Sequence, residues 1–113
     1  MRERSARLDE STRAILEEVH SELRGVYGAR LREVCLYGSY ARGEEREGSD
    51  MDILVVLDDI QDVGQELGRM SELGSALSLA HDVTISFYPV SEWEFVNRRS
   101  PLLINIRREA ILA

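Results

Sequence analysis

The sequence predicts one α/β (α+β) domain in which helices flank a small β-sheet. Its 113 residues fit a single domain, and no linker, repeat or low-complexity segment interrupts them. Segments with helical periodicity alternate with short apolar runs typical of buried strands. The hydrophobic fraction of 43% is ordinary for a globular protein. We therefore expect residues 1–113 to share one core.

The first predicted elements lead into a glycine-serine turn. Apolar residues between positions 9 and 27 recur at spacings of three and four, which predicts an amphipathic helix that Gly28 ends. The apolar run within 32–37 predicts a short buried strand. After it, we expect Ser39 to cap a short helix that continues to Arg42.

The middle of the chain predicts a loop, a strand, a helix and another strand. Polar residues 43–49 indicate a loop, and the branched apolar run 51–57 predicts a central strand. Helical periodicity spans 62–80, although three glycines there each cost about 1 kcal/mol relative to alanine, so tight packing must compensate. The alternating run 82–88 predicts a third strand that Pro89 closes.

Two capping patterns predict the last helices. Residues 91–94 have the Ser-x-x-Glu form of a capping box, and the pair Ser100-Pro101 places a cap residue before a first-turn proline. The last helix should end near residue 110. The predicted order is therefore α-β-α-β-α-β-α-α.

Composition limits the partners and the location. The formal net charge of -7 and the absence of lysine argue against an extended nucleic-acid surface. No apolar segment approaches the ~18–20 residues that cross a bilayer, and residues 1–5 lack the apolar core of a signal peptide. We expect a cytoplasmic protein without membrane contact. Cys35 is the single cysteine, and its apolar neighbours predict a buried thiol.

Two aspartates at the head of the second predicted strand indicate metal chemistry. Residues i and i+2 of a strand project from one face, so Asp50 and Asp52 should point together, roughly 6–7 Å apart along the chain. Carboxylates held so close repel each other, and burying them costs free energy unless a cation neutralises them. Magnesium, which prefers oxygen ligands, suits this pair.

The turn before these aspartates has the parts of a phosphate site. Gly38 has no side chain and so allows a ligand to approach the backbone closely. The N–H groups at the start of the following helix, together with the hydroxyl of Ser39, can donate hydrogen bonds to phosphate oxygens. Arg42 could reach the same phosphates, or could instead pair with a glutamate of the following loop. By itself the Gly-Ser pair is more often an ordinary strand-to-helix turn.

A third acid beside the pair is needed to hold a second metal ion or to accept a proton from an attacking hydroxyl. Asp82 is the best candidate, because it should begin the third strand, which is expected to lie beside the second. The alternative is that Asp82 only ends a helix-to-strand loop.

These residues carry a resemblance to a known family. Gly38-Ser39, followed after ten residues by Asp50-x-Asp52, resembles the signature of the minimal nucleotidyltransferases, small members of the DNA polymerase beta-like superfamily. The wider pattern, Gly-Ser-x-Ala-Arg-Gly and then Ser-Asp-x-Asp, is also matched and includes Ser49, which we place with the nucleotide-binding residues. The resemblance implies a nucleotidyltransferase fold with a small mixed sheet.

The resemblance also implies a reaction. Two magnesium ions would assist transfer of a nucleoside monophosphate from a triphosphate to a hydroxyl, with release of pyrophosphate. Asp50 and Asp52 would bind both ions, and Asp82 would bind the one that activates the acceptor. Gly38 and Ser39 would hold the outgoing phosphates.

Short members of this family resemble the antitoxin half of a two-protein module. What this implies is transfer of AMP from ATP to a tyrosine of a HEPN ribonuclease toxin, within a hetero-oligomer. Two alternatives stay open. The chain could be a binding module that neutralises its partner by contact alone, or it could transfer a nucleotide to a small molecule or an RNA end.

Overall fold

The computed structural model describes residues 8–113, and the predictions for the N-terminal segment 1–7 lie outside the described residues. The helices are α1 (Glu10–Tyr27), α2 (Ser39–Arg42), α3 (Val63–His81), α4 (Glu92–Asn97) and α5 (Pro101–Glu109). The strands are β1 (Leu31–Tyr37), β2 (Met51–Leu57), β3 (Ile85–Ser91) and β4 (Ile111–Leu112). A 3-10 turn, Gly28–Arg30, joins α1 to β1. The predicted order of elements is confirmed, and β4 is an additional short strand.

The four strands form one mixed sheet in the order β3-β2-β1-β4. Strand β1 runs antiparallel to β2 and to β4, whereas β2 and β3 run parallel. Every residue of β2 is buried except Asp52, which is half-buried. The prediction of a central second strand is therefore confirmed, and its single polar residue stands out from an apolar run.

Helices cover both faces of the sheet. On one face α1 and α3 pack against side chains of β1 and β2, with a core that includes Leu16, Leu23, Val34, Met51, Ile53 and Met70. On the other face α4 and α5 pack against a second core, which includes Cys35, Leu54, Val56, Phe95, Leu103 and Ile106. Burial raises the pKa of the Cys35 thiol to about 12, so the predicted buried thiol is confirmed. Within residues 8–113, no helix is both long and apolar enough to cross a membrane.

Most helix boundaries are set by local interactions. Asp9 accepts from the Thr12 N–H at 2.8 Å to cap α1, and Gly28 ends that helix with a φ of 57°. Asp62 caps α3, and Ser91 and Glu94 complete a capping box on α4. These interactions join residues three or four positions apart, so the sequence predicts them well.

The prediction that Ser39 caps α2 is wrong. The N-cap is Gly38, with a φ of 77°, and Ser39 is the first helical residue. Within the described part of the chain, no side chain caps this helix. The left-handed backbone at Gly38 turns the chain directly from β1 into α2, which leaves the Ser39 side chain free of the capping role.

The predicted boundaries of the third strand are also wrong. Helix α3 continues to His81, and Asp82 adopts a left-handed conformation, φ 53°, as its C-cap. Strand β3 begins three residues later, at Ile85, and runs through Pro89 to Ser91. A proline is tolerated here because β3 lies at the edge of the sheet, where the missing N–H can face away from the ladder.

Candidate functional site

Asp52 lies at the start of β2, on the face that α4 and α5 partly cover, and Asp50 directly precedes the strand. Asp52 pairs in register with Tyr37 of β1 and with Ser86 of β3. Side chains paired in this way project from the same face of the sheet. Asp50 is exposed just before the strand, so the two carboxylates stand at the open end of this row.

The two carboxylates interact unfavourably with each other. Burial, followed by the charge of Asp50, raises the pKa of the Asp52 carboxyl above its ordinary value, although Arg42 opposes this shift. Among residues 8–113, no hydrogen bond or ion pair engages either carboxylate. Two adjacent carboxylates without a protein cation are the oxygen ligands that a divalent ion such as Mg²⁺ binds. The predicted metal ligands therefore fit a metal by their chemistry.

Gly38 is pressed against the Asp52 carboxylate. A β-carbon at Gly38 would lie 2.5 Å from Asp52 Oδ2 and 3.4 Å from its Cγ. Any side chain at position 38 would displace the carboxylate, and the φ of 77° also disfavours other residues. The structure thus brings two of the predicted site residues into direct contact.

Ser39 opens α2 beside this contact. The Gly38 carbonyl accepts hydrogen bonds from Ala41 N–H at 3.1 Å and from Arg42 N–H at 3.2 Å, which closes the first turn of the helix. In the described part of the chain, no hydrogen bond uses the Ser39 hydroxyl. That hydroxyl is available to a ligand at the same end of the sheet as Asp52.

Arg42 has protein partners instead of a free guanidinium. Its Nε donates to Glu44 Oε1 at 2.8 Å, and its Nη1 donates to Glu109 Oε2 at 3.4 Å. The alternative in which Arg42 pairs with a loop glutamate is therefore the one observed. Both pairs are at the surface, where an ion pair contributes little to stability.

Ser49 holds the loop that leads to the aspartates. Its Oγ accepts from the Arg46 N–H at 2.8 Å, and its own N–H donates to the Arg46 carbonyl at 2.9 Å. These two bonds close a turn directly before Asp50. In this structure Ser49 positions the approach to the site.

Asp82 does not occupy the strand position from which its role was predicted. It is exposed at the end of α3 and lines a cavity of about 460 Å³ together with Tyr40, Ser49 and Thr84. Within residues 8–113 there is no group of three or more His, Cys, Asp or Glu side chains that could hold a metal ion. The expected three-acid arrangement is therefore absent there, because the left-handed turn at Asp82 delays the start of β3.

Two residues at the site were missed from the sequence. Ser86 stands beside Asp52 on β3, and Tyr37 stands beside it on β1. Burial, the charge of Asp52 and Tyr88 raise the pKa of Tyr37 to about 12, so its hydroxyl stays protonated at neutral pH. The alternation in the third strand carried a signal for Ser86, but its register with β2 could not be derived from periodicity.

Comparisons with known proteins show the family to which this fold belongs. Residues 12–112 match the nucleotidyltransferase domain family. The protein adenylyltransferase MntA of Thermococcus cleftensis is 36% identical over 76 residues, which cover 67% of this chain and 75% of the relative.

Solved structures share the fold. One described as a minimal nucleotidyltransferase is 35% identical with a TM-score of 0.62, and the match covers 95% of this chain and 97% of the other. A chain from the complex of tri-AMPylated Shewanella oneidensis HEPN toxin with MNT antitoxin has a TM-score of 0.57 at 20% identity, over 88% of this chain and 68% of that one. The second likeness shows the fold alone. The predicted fold class is confirmed.

Proposed function

The chain belongs to the nucleotidyltransferase domain family, and from this premise we propose that it transfers AMP from ATP to a hydroxyl group of a partner protein. One observation carries the proposal. The Asp52 carboxylate stands half-buried beside Asp50, at contact distance from a β-carbon position at Gly38, with no protein cation bound to it in the described residues. Such a pair is unfavourable in an inert scaffold and suits a metal-nucleotide site.

Asp50 and Asp52 are the residues that would hold Mg²⁺. When bound, the metal supplies positive charge to the attacking and leaving oxygens of phosphoryl transfer. The chain itself keeps Asp50 close enough to act on Asp52 through its charge, and the burial of Asp52 makes the neutralisation of its charge more favourable than for a fully solvated acid. Binding of two ions remains part of this proposal.

Gly38, Ser39 and Arg42 would bind the phosphates of ATP. The Ser39 hydroxyl has no competing hydrogen bond in the described chain and can donate to a phosphate oxygen. Arg42 would have to exchange Glu44 and Glu109 for a phosphate, and surface pairs of this kind are weak enough to exchange. Ser49 would act by holding the loop before Asp50.

The acceptor we propose is a tyrosine of a HEPN ribonuclease toxin, which the chain would neutralise as an antitoxin in a hetero-oligomer. Support comes from two relatives: one is named as a protein adenylyltransferase, and one with the same fold is in a complex of an AMPylated HEPN toxin. The charge of -7 would favour approach of a basic partner. We further propose that residues 1–113 act as one domain in the cytoplasm.

The test is transfer of label from α-³²P-ATP, with Mg²⁺, to the protein encoded by the adjacent gene. We expect label on a tyrosine of that protein, which peptide mapping would locate. Asp50→Asn and Asp52→Asn should abolish transfer, whereas Asp59→Asn, which changes an exposed acid just beyond β2, should leave it intact. Transfer that survives both site variants would refute catalysis at this position.

A binding module that neutralises by contact alone is the second candidate, and the lack of a three-acid group among residues 8–113 favours it. The same variants separate the two functions. Neutralisation that persists without nucleotide and with Asp50→Asn and Asp52→Asn would support contact. Label found on a small molecule or RNA end, and none on protein, would instead support the remaining alternative.

A further inference from the structure

We propose that Ser86 occupies the place beside Asp52 from which a third carboxylate would act, so that residues 8–113 bring only two acids to the metal site. The inference rests on the proposed function for the identity of the site. Asp50 and Asp52 are then the acids that bind a divalent ion, and Asp82 takes no part in binding it.

The strand register places Ser86 in the site. Strand β3 pairs parallel with β2, with Asp52 opposite Ser86 and Leu54 opposite Tyr88. The hydrogen bond from the Met51 N–H to the Thr84 carbonyl, at 2.8 Å, begins this ladder. Neighbouring strands lie about 4.8 Å apart, and residues paired across them project from one face. Ser86 is thus the β3 side chain nearest in register to Asp52.

Asp82 is held away from that place by two features. Its backbone N–H bonds to the Ser78 carbonyl and its φ is 53°, so it belongs to the end of α3 rather than to the strand. Helix α3 packs on the opposite face of the sheet, where Met70 and Leu77 join the core of Met51. The carboxylates of Asp50 and Asp52 therefore gain no third acid from the end of α3.

With only these ligands, the first and second metal ions should bind with different affinities. Two carboxylates carry two negative charges, whereas two divalent ions carry four positive charges. A neutral hydroxyl at position 86 adds no charge to the site, and ligand charge is a main determinant of affinity for hard divalent cations. The free protein should hold one ion through Asp50 and Asp52, and a second ion should bind only when nucleotide phosphates supply further oxygens.

Mn²⁺ binding in the absence of nucleotide tests this arrangement. Electron paramagnetic resonance and calorimetry on the full chain would report the number of tightly bound ions. We expect one ion for the wild type, and the same for Ser86→Ala and Asp82→Asn, with affinities within about twofold of the wild type. Ser86→Asp should create a second site, or should tighten binding by about tenfold, because it adds one ligand charge.

A matched control separates the added ligand from the added charge. Ser75→Asp adds the same charge on the exposed side of α3, across the sheet from the site, and should leave Mn²⁺ binding close to that of the wild type. Circular dichroism would check that each variant is folded. Loss of the ion or tenfold weaker binding in Asp82→Asn would overturn the proposal. So would a folded Ser86→Asp protein that binds Mn²⁺ no better than Ser75→Asp.

The Mn²⁺-binding experiment and the AMP-transfer experiment test the two proposals separately. If wild-type protein transfers no AMP but the Mn²⁺ pattern holds, the proposed function is wrong and the two-acid site stands. If AMP is transferred and Asp82→Asn removes a bound Mn²⁺ ion, the proposed function stands and the assignment of Ser86 is wrong.

Discussion

A β-carbon at Gly38 would come within 2.5 Å of Asp52 Oδ2, closer than non-bonded atoms approach. The turn between β1 and α2 and the acid of β2 are therefore built as one unit. A glycine at this position serves the carboxylate as well as the backbone, since only a residue without a side chain leaves Asp52 in its place.

Gly38→Ala is expected to lose Mn²⁺ binding and AMP transfer. Gly48→Ala is the matched control, because Gly48 also has a positive φ, 87°, but nothing lies within 4 Å of its β-carbon position. Both variants should lose about 1 kcal/mol of unfolding free energy to backbone strain. Only Gly38→Ala should weaken metal binding, measured by calorimetry beside urea unfolding. Equal metal binding in the two variants would contradict the contact.

Asp52→Asn is expected to stabilise the metal-free protein at pH 7. Burial and Asp50 raise the pKa of Asp52 above that of an unfolded carboxyl, so the folded state binds this proton more readily. Stability contributed by Asp52 therefore falls as pH rises from the ordinary carboxyl pKa through the raised value. Urea unfolding in EDTA, from pH 4 to 7, should show that the unfolding free energy of the variant falls less with rising pH than that of the wild type.

Asp58→Asn should change the stability of the protein at pH 7 in the opposite direction from Asp52→Asn. The Asp59 N–H and then Arg30 lower the pKa of Asp58, so its ionised form stabilises the folded state above the ordinary carboxyl pKa. The variant should therefore be less stable than the wild type at pH 7 and should approach it as the pH falls. If both variants changed the unfolding free energy at pH 7 in the same direction, the charged form of Asp52 would not be destabilised by burial and by Asp50.

Glu66→Ala is expected to cost about 2–3 kcal/mol of unfolding free energy. Glu66 is only 4% exposed and accepts from Tyr27 Oη at 3.1 Å and from Arg30 Nη2 at 2.9 Å, which ties α3 to α1 and to the 3-10 turn before β1. Glu72→Ala on the exposed side of α3 should change stability by no more than about 0.5 kcal/mol. Since this network lies at the other end of β2 from Asp52, Mn²⁺ binding should be retained.

Gly68→Ala and Gly74→Ala separate helix propensity from packing. A β-carbon at Gly68 would meet open space, whereas at Gly74 it would lie 3.2 Å from Phe87 Cε2 and 3.4 Å from the Ile85 carbonyl. Gly68→Ala should stabilise the protein by about 0.5–1 kcal/mol. Gly74→Ala should forfeit that gain, because Phe87 must move. The predicted compensation by tight packing thus holds at Gly74, and equal gains in the two variants would exclude it.

Near-neighbour interactions made much of this protein predictable from its sequence. Asp9, Asp62 and Ser91 cap helices through bonds to residues three positions away, and the apolar run of β2 is buried as its composition predicts. Asp50 lies close enough for its charge to act on Asp52, as the period of two of a strand leads one to expect. None of these features requires knowledge of distant parts of the chain.

Tertiary structure decided which residues complete the site. The sequence pointed to Asp82 on a third strand, but the left-handed end of α3 delays β3, and its ladder with β2 then places Ser86 beside Asp52. Packing likewise turned Arg42 toward Glu109 of a distant helix. Strand register and such long-range pairs result from the packing of whole elements, so periodicity along the chain determined the two aspartates but not their neighbour on the adjacent strand.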